Sequence, residues 1–263
     1  MSKWEESDYE ALDKTTVYMA GDFSYPSKMP YIPIGPYGYI ALDSVDGSDA
    51  SVARDARVQP EADWRPDFGD GKMNDPRLLR HLFMSNPCHS TPFEKTFIKF
   101  WVKAPIFVYR EWHRHRVWSF NEESARYKQL PPHYWMPKLG EIGVQSEKNH
   151  QSRVIDYEFS KERDTEILKE IERAYRAADF SYRNLISLGT PREVARCVMP
   201  VGIYSEMVAS VSLWNLFKFM DLRWHPDAQQ EIREYAEAMF QLLMGSDKFP
   251  IIMKLYEEKR NSR

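Results

Sequence analysis

The segment YREWHRHRVWSFNEESARYKQL, residues 109–130, gathers Arg110, Arg114, His115, Arg116 and Arg126 around two tryptophans. Guanidinium groups present planar forks of donors that bind phosphate bidentately, more strongly than a neutral hydrogen bond. At helical spacing Arg110 and Arg114 are neighbours, and Glu111 reaches both Arg114 and His115. The plainer alternative is a solvated helix face laced with its own ion pairs. Trp112, Val117 and Trp118, interleaved with the charges, argue that one side is buried. Downstream, Ser119, Asn121, Glu122, Ser124, Arg126 and Tyr127 read as a polar loop. Serine beside arginine suits a phosphate, and Asn121 and Glu122 suit the donors of a sugar or ring.

Two further places hold candidate residues. HSTPFEK fits a capping box, with Thr91 as N-cap, Pro92 in the first turn and Glu94 three residues on. The β-branched and aromatic run behind it leaves Thr91 and Glu94 as alternatives for a ligand. His89 reads as a structural histidine. DLRWHPDAQQEI places Arg223 and His225 at a helix junction. Arg223 suits stabilisation of an anion better than proton transfer, because arginine stays protonated. Capping of the preceding helix is the plainer role for it.

These side chains need a scaffold. The 263 residues, 43% of them apolar, are enough for one large domain or two small ones. The formal charge of −3 lacks the basic excess of a nucleic-acid binder, so the local cations point to a small anionic ligand. No apolar run approaches the roughly 18–20 residues needed to span a bilayer, and the polar, acidic start is unlike a secretory signal. Cys88 and Cys197 form neither a disulfide framework nor a zinc site, and both read as buried, unreactive thiols. There is no glycine-rich dinucleotide fingerprint, P-loop or H-E-x-x-H zinc motif. A reduced, cytoplasmic protein is expected.

Along the chain, residues 1 to about 40 read as loops before a strand at Tyr39–Leu42, and 59–74 as a loop. Helices are expected at GSDASVARDARV, from Pro76, from Ile106 to about Trp118, and over SKERDTEILKEIERAYRAADFSYRNLIS. In the last of these Ile167, Ile171, Ala174, Ala178 and Leu185 line one face, and Gly189 ends the helix. A short helix capped by Thr190 follows. LWNLFKFMDL and a segment opening at Pro226 complete the helices. KTFIKFWVKA and GIYSEMVASVS read as strands. The class is α+β, a mixed antiparallel sheet with long helices and a helix-rich C-terminal half.

The spacing Arg114-His115-Arg116-x-x-Ser119-x-Asn121-Glu122-x-Ser124-x-Arg126-Tyr127 resembles the signature of the flavin-dependent thymidylate synthases, with nine fixed positions in fourteen residues. GSDASVARDARV, HSTPFEK, KAPIFVYREW, GTPREVARCVMP and DLRWHPDAQQEI agree in order. The resemblance covers roughly Tyr39 to Met244. It implies a catalytic domain over 37–263 behind an N-terminal extension of residues 1–36, and a homotetramer with FAD at subunit interfaces. It implies conversion of dUMP to dTMP with methylenetetrahydrofolate as carbon donor and NADPH as reductant. Nucleotide contacts would be Glu111, Arg114, Glu122, Ser124, Ala125, Arg126, Arg196 and Arg223, with Arg223 activating the uracil ring in place of a cysteine nucleophile. Flavin contacts would be Thr91, Glu94, Arg114, His115, Arg116, Asn121 and Glu122, with Ser212 and Lys218 where the family carries asparagine. Asp227 stands at a usual histidine, with His225 nearby, and Glu111 at a usual glutamine. These departures leave two alternatives: a related enzyme that hydroxymethylates or acts on another base, and a non-catalytic nucleotide- or flavin-binding homologue.

Overall fold

The computed structural model describes residues 26, 28–57, 76–155 and 160–262. Within it the chain forms two compact units. The first comprises the described parts of Lys103–Arg110 and Glu122–Glu206, the second those of Tyr25–Val102, Glu111–Asn121 and Met207–Arg263. The expected loop at 59–74 lies outside the described residues.

In chain order, β1 (Tyr31–Ile34) and β2 (Gly38–Asp46) precede α1 (Asp49–Ala56) and α2 (Pro76–Met84). A 3-10 turn at Thr91–Lys95 leads into β3 (Phe97–Pro105), α3 (Ile106–Trp112) and β4 (Ser119–Glu122). The short pair β5 (Val144–Gln145) and β6 (Arg153–Val154) comes next, then α4 (Lys161–Ser187), α5 (Arg192–Ala195) and a 3-10 turn at Arg196–Val198. Last come β7 (Tyr204–Ser212), α6 (Leu213–Arg223), α7 (Gln230–Met244) and α8 (Pro250–Asn261). The five-stranded antiparallel sheet has the order β1-β2-β3-β7-β4, so the α+β expectation holds.

In the second unit β3 alternates strictly: Ile98, Phe100 and Val102 are buried, while Phe97, Lys99 and Trp101 face outward. That period of two is what a one-sided strand requires. On the outer face Lys99 pairs with Asp43 of β2 at 2.6 Å, and the Trp101 indole donates to the same carboxylate at 3.2 Å. Aromatic rings from α2, the 3-10 turn, α6 and α8 form a buried cluster in the same unit. Phe83 packs edge-on to Phe93 and Phe217 at 5.7 and 5.2 Å, and Phe217 stacks on Tyr256 at 5.0 Å. Segment α8 lies beyond the helices expected from sequence. Pro250 opens it in the first turn, where no N–H is lost. Its cap comes from α1: Asp49 accepts from the Ile251 and Ile252 N–H groups at 2.7 and 3.2 Å. Burial raises the Asp49 pKa, and these two bonds pull it partway back.

The first unit is built on α4. Ser160 caps it by accepting from the Arg163 N–H, and Gly189, at φ 78°, follows its end as expected. Its inner face differs from the expected one. Tyr175, Tyr182 and the acids Asp164 and Asp179 are buried, whereas Ala174 is exposed and Ile167, Ala178 and Leu185 are half-buried. Tyr175 stacks on Tyr134 at 4.7 Å, with Ile203 and Ile171 against the pair. Gly202 runs beneath this stack, and a Cβ there would lie 2.0 Å from the Tyr175 hydroxyl.

Other expectations are corrected. The Thr91 capping box is absent: Ser90 is the N-cap residue and makes no side-chain cap bond. Pro191, not Thr190, precedes α5. Helix α7 opens at Gln230, with Gln229 as cap, rather than at Pro226. Strand β4 occupies the start of the expected loop, and β1 lies in a stretch read as loop. Cys197 is exposed rather than buried.

Replacing Asp49 with alanine removes the cap of α8. We expect a loss of about 1–2 kcal/mol, with a smaller loss for Asp49→Asn, which keeps an acceptor but no charge. Shifts in the urea midpoint of the two variants check this.

Candidate active site

In the second unit the basic segment does not continue as a helix. Segment α3 ends at Trp112, and the His115 N–H bonds to the Trp112 carbonyl at 2.9 Å, closing a tight turn. On an uninterrupted helix Trp112 and Trp118 would face about 120° apart. With the turn, both indoles pack together edge-on at 5.3 Å and both lie against Phe219 of α6, at 4.9 and 5.1 Å. Burying two tryptophans on one core outweighs the hydrogen bonds of the missing helical turn. The turn also carries His115 onto Phe219, at 4.8 Å.

Arg223, the last residue of α6, meets this turn. Its Nε donates to His115 Nε2 at 2.8 Å, Nη1 to Glu111 Oε2 at 2.5 Å and Nη2 to the Glu111 carbonyl at 3.0 Å. The guanidinium therefore satisfies the carbonyl end of α3 and does not cap its own helix, as the plainer expectation had it. Nor does Glu111 pair along the helix with Arg114. Because arginine can only donate, His115 Nε2 must be an acceptor and the imidazole proton sits on Nδ1. Burial, followed by the neighbouring Arg223 charge, pushes the His115 pKa down to about 4. His115 is thus a neutral ring at neutral pH, with Nδ1–H its remaining polar group.

Arg114 and Arg116 are exposed, and neither has an ion-pair or hydrogen-bond partner among the described residues. Four arginines elsewhere are matched: Arg80 with Glu258, Arg173 with Glu170, Arg176 with Glu172 and Arg183 with Asp179. Thr91 and Glu94 lie exposed on the 3-10 turn, where Glu94 accepts from Ser90 at 3.2 Å. Asn121 is exposed on β4. Ser212 is buried and its hydroxyl accepts from Asn215 at 3.0 Å, while Lys218 lies over the Trp214 ring at 5.3 Å. Asp227 is exposed, its N–H donating to His225 Nδ1 at 3.2 Å.

In the first unit the loop after β4 is tied to β7. Glu122 accepts from the Ser205 hydroxyl at 2.7 Å, and Glu123 accepts from the Glu206 N–H at 2.9 Å while pairing with Lys128 at 2.5 Å. The loop is then a short turn in which the Tyr127 N–H bonds to the Ser124 carbonyl at 3.1 Å, with Ala125 between. The Ser124 hydroxyl accepts from the Arg126 N–H and Nε at 3.3 and 3.2 Å, turning that guanidinium back over the loop. Arg126, Arg196 and Arg110 are exposed and have no carboxylate partner among the described residues. In the same unit Lys103 is buried, and desolvation lowers its pKa. Its Nζ lies 3.5 Å from His133 Nδ1, and His133 is pushed down to about 4 by burial and then by that ammonium. Ser205 and Lys103 escaped the sequence reading. Ser205 lies 83 positions from its partner, and nothing local marks it.

Taken unit by unit, the second offers Arg114 and Arg116 exposed without counter-charges among the described residues, a neutral His115 and an arginine held by a carboxylate. The first offers Arg110, Arg126 and Arg196 exposed without a carboxylate partner among the described residues. Such a donor set fits ligands that carry several phosphate charges. Cys88 is a poor nucleophile: its thiol donates to the Leu82 carbonyl at 3.3 Å, and burial raises its pKa.

Comparison with known proteins agrees. The family model described as thymidylate synthase complementing protein matches residues 12–250. A flavin-dependent thymidylate synthase of Thermus thermophilus is 34% identical over 230 residues, covering 86% of this chain and 78% of the relative. That of Thermotoga neapolitana is 34% identical over 208 residues, covering 79% and 86%. Among solved structures, the UMP/dUMP methylase PolB from Streptomyces cacaoi, bound with 5-Br dUMP, superposes with a TM-score of 0.73 at 30% identity, covering 86% of this chain and 97% of that one. With the signature residues, the fold and these relatives in agreement, the chain belongs to the flavin-dependent thymidylate synthase family.

Proposed function

We propose that this chain reductively methylates dUMP to dTMP, with methylenetetrahydrofolate as carbon donor, NADPH as reductant and FAD as redox cofactor. One observation carries the reading: Arg110, Arg114, Arg116, Arg126 and Arg196 are exposed without counter-charges among the described residues. A nucleotide monophosphate and a flavin diphosphate together supply the missing anions. The names of the relatives, flavin-dependent thymidylate synthase and UMP/dUMP methylase, support the same substrate class.

We assign the nucleotide phosphate to Arg126, Arg196 and the Ser124-Ala125 turn in the first unit, with Glu122 beside them. From the second unit Glu111, Arg114 and Arg223 serve the nucleotide, and Arg223 polarises the ring. For FAD, Arg114 and Arg116 would bind the diphosphate, and the His115 Nδ1–H would donate. Thr91, Glu94, Asn121 and Glu122 add polar contacts, with Lys218 as a further cation. Ser212, buried and engaged with Asn215, fits a supporting role behind that surface. Bound FAD supplies the electron transfer, and the chain's residues bind and orient. Removing a positioned donor from a developing anion typically costs about 2.7–4 kcal/mol of barrier, which makes Arg223 the residue on which turnover depends most. We further propose a homotetramer in the cytoplasm with FAD at subunit interfaces, and a catalytic domain over 37–263. Among the described residues, no helix is long and apolar enough to cross a membrane.

The purified protein is expected to be yellow, or to become so with FAD, and to oxidise NADPH faster when dUMP is present. A colourless protein that cannot be reconstituted defeats the proposal. Arg223→Ala should lower kcat by about a hundredfold or more, by loss of that donor, while changing dUMP affinity less. Steady-state kinetics beside calorimetric dUMP titration separate the two effects. Ser124→Ala should weaken dUMP binding and leave measurable turnover. Complete loss of turnover with normal affinity would make the serine a reactant rather than a ligand.

A further inference from the structure

The first unit fastens the backbone of Ser205 without using its hydroxyl. The buried Tyr109 phenol donates to the Ser205 carbonyl at 2.7 Å and accepts the Ala104 N–H at 3.2 Å. Burial raises the Tyr109 pKa well above the usual phenol range, so that donor stays protonated. Next along the chain, the Glu123 N–H donates to the Glu206 carbonyl at 2.8 Å, and the Glu206 N–H donates to the Glu123 carboxylate at 2.9 Å. These bonds hold the loop after β4 to β7 through groups other than the hydroxyl. The hydroxyl has a different partner. It donates to Glu122 Oε1 at 2.7 Å, its one hydrogen bond among the described residues. Ser205 is 1% exposed, too buried to touch a ligand itself. Glu122 is exposed, and its Oε2 has no hydrogen-bond partner among the described residues.

We infer that Ser205 is a positioning residue: its hydroxyl sets the Glu122 carboxylate before the nucleotide arrives, and it acts on binding through that carboxylate alone. The inference rests on the reading above that Glu122 serves the nucleotide. A long, exposed glutamate samples several rotamers, and ordering it on binding costs affinity. Here one carboxylate oxygen is already held, and the other is left for a ligand. An ionised carboxylate only accepts, so that oxygen suits a hydroxyl or N–H of the sugar or ring. Serine fits the task because its backbone is fixed by Tyr109 and a single torsion then places the donor. A hydrogen bond to a charged group is also stronger than one between neutral groups, so the arrangement is held firmly.

The test is a double-mutant cycle on dUMP affinity, read by isothermal titration of the FAD-reconstituted full chain. Ser205→Ala should raise the dUMP Kd about threefold or more, the scale of leaving one long side chain to be ordered by the ligand. Ser205→Thr keeps the hydroxyl and should stay within about twofold of the wild type. In a Glu122→Ala background, Ser205→Ala should change the Kd by less than about twofold, because its route to the ligand is gone. A serine that merely supports the fold gives the same loss in both backgrounds. That equal loss, an unchanged Kd for Ser205→Ala, or a loss in Ser205→Thr as large as in Ser205→Ala overturns the inference and leaves the dUMP reading standing. Unchanged dUMP binding in Glu122→Ala removes Glu122 from the site, and the inference with it. A wild type that does not bind dUMP removes both. Ser205→Cys, similar in volume but a weak donor, runs the same cycle if Ser205→Ala does not keep a native circular dichroism spectrum.

Discussion

Arg223 is the point on which the second unit's site depends. One guanidinium joins the last residue of α6 to the carbonyl end of α3, to a carboxylate and to a histidine. Each partner constrains the others. The carboxylate balances the guanidinium charge, and that charge helps keep the imidazole neutral. A neutral imidazole can accept the Nε proton, so the plane of the arginine is set before any ligand arrives. Pre-organisation of this kind is worth more at low exposure, where water competes less for the same donors.

The arrangement works only because α3 is short. Two tryptophans and Phe219 form a cluster that a longer helix could not, and the turn they enforce brings Glu111 and His115 to the end of α6. In the first unit the corresponding task falls to β7. Ser205 and Glu206 fasten the loop that carries Ser124 and Arg126, while two carboxylates, Glu206 and Glu123, raise the pKa of buried Lys103 against the cost of desolvation. Each unit thus holds its exposed cations on a rigid base of buried rings or matched charges.

What the sequence discloses follows from how local each cause is. Strand β3 is legible because alternation is written into neighbouring residues, and α4 because Ser160 and Gly189 mark its limits. The cationic cluster is legible as chemistry, and the family signature lies within one short stretch. The end of α3 is hidden, because the competing interaction is a ring on α6 more than a hundred positions away. The role of Arg223 is hidden for the same reason: its partners are 108 and 112 positions distant. Segment α8 borrows its cap from Asp49, 202 positions earlier. Strand β1 contains Pro33, which reads as a loop signal but is tolerated at a sheet edge, where β1 lies. The face of α4 is hidden because buried acids with partners, such as Asp179 with Arg183, look like solvent residues in sequence.

Strand β7 ends at Ser212 and α6 begins at Leu213, with no residue between them. Nothing in that stretch can absorb a change of length. One residue gained or lost within α6 would swing Arg223 by about 100° and slide it by about 1.5 Å. Glu111 and His115 would then face a leucine or an aromatic ring instead of a guanidinium. The run from Met207 to Arg223 is thus a fixed ruler, and variation in chain length among relatives of this protein has to be taken up in other parts of the molecule.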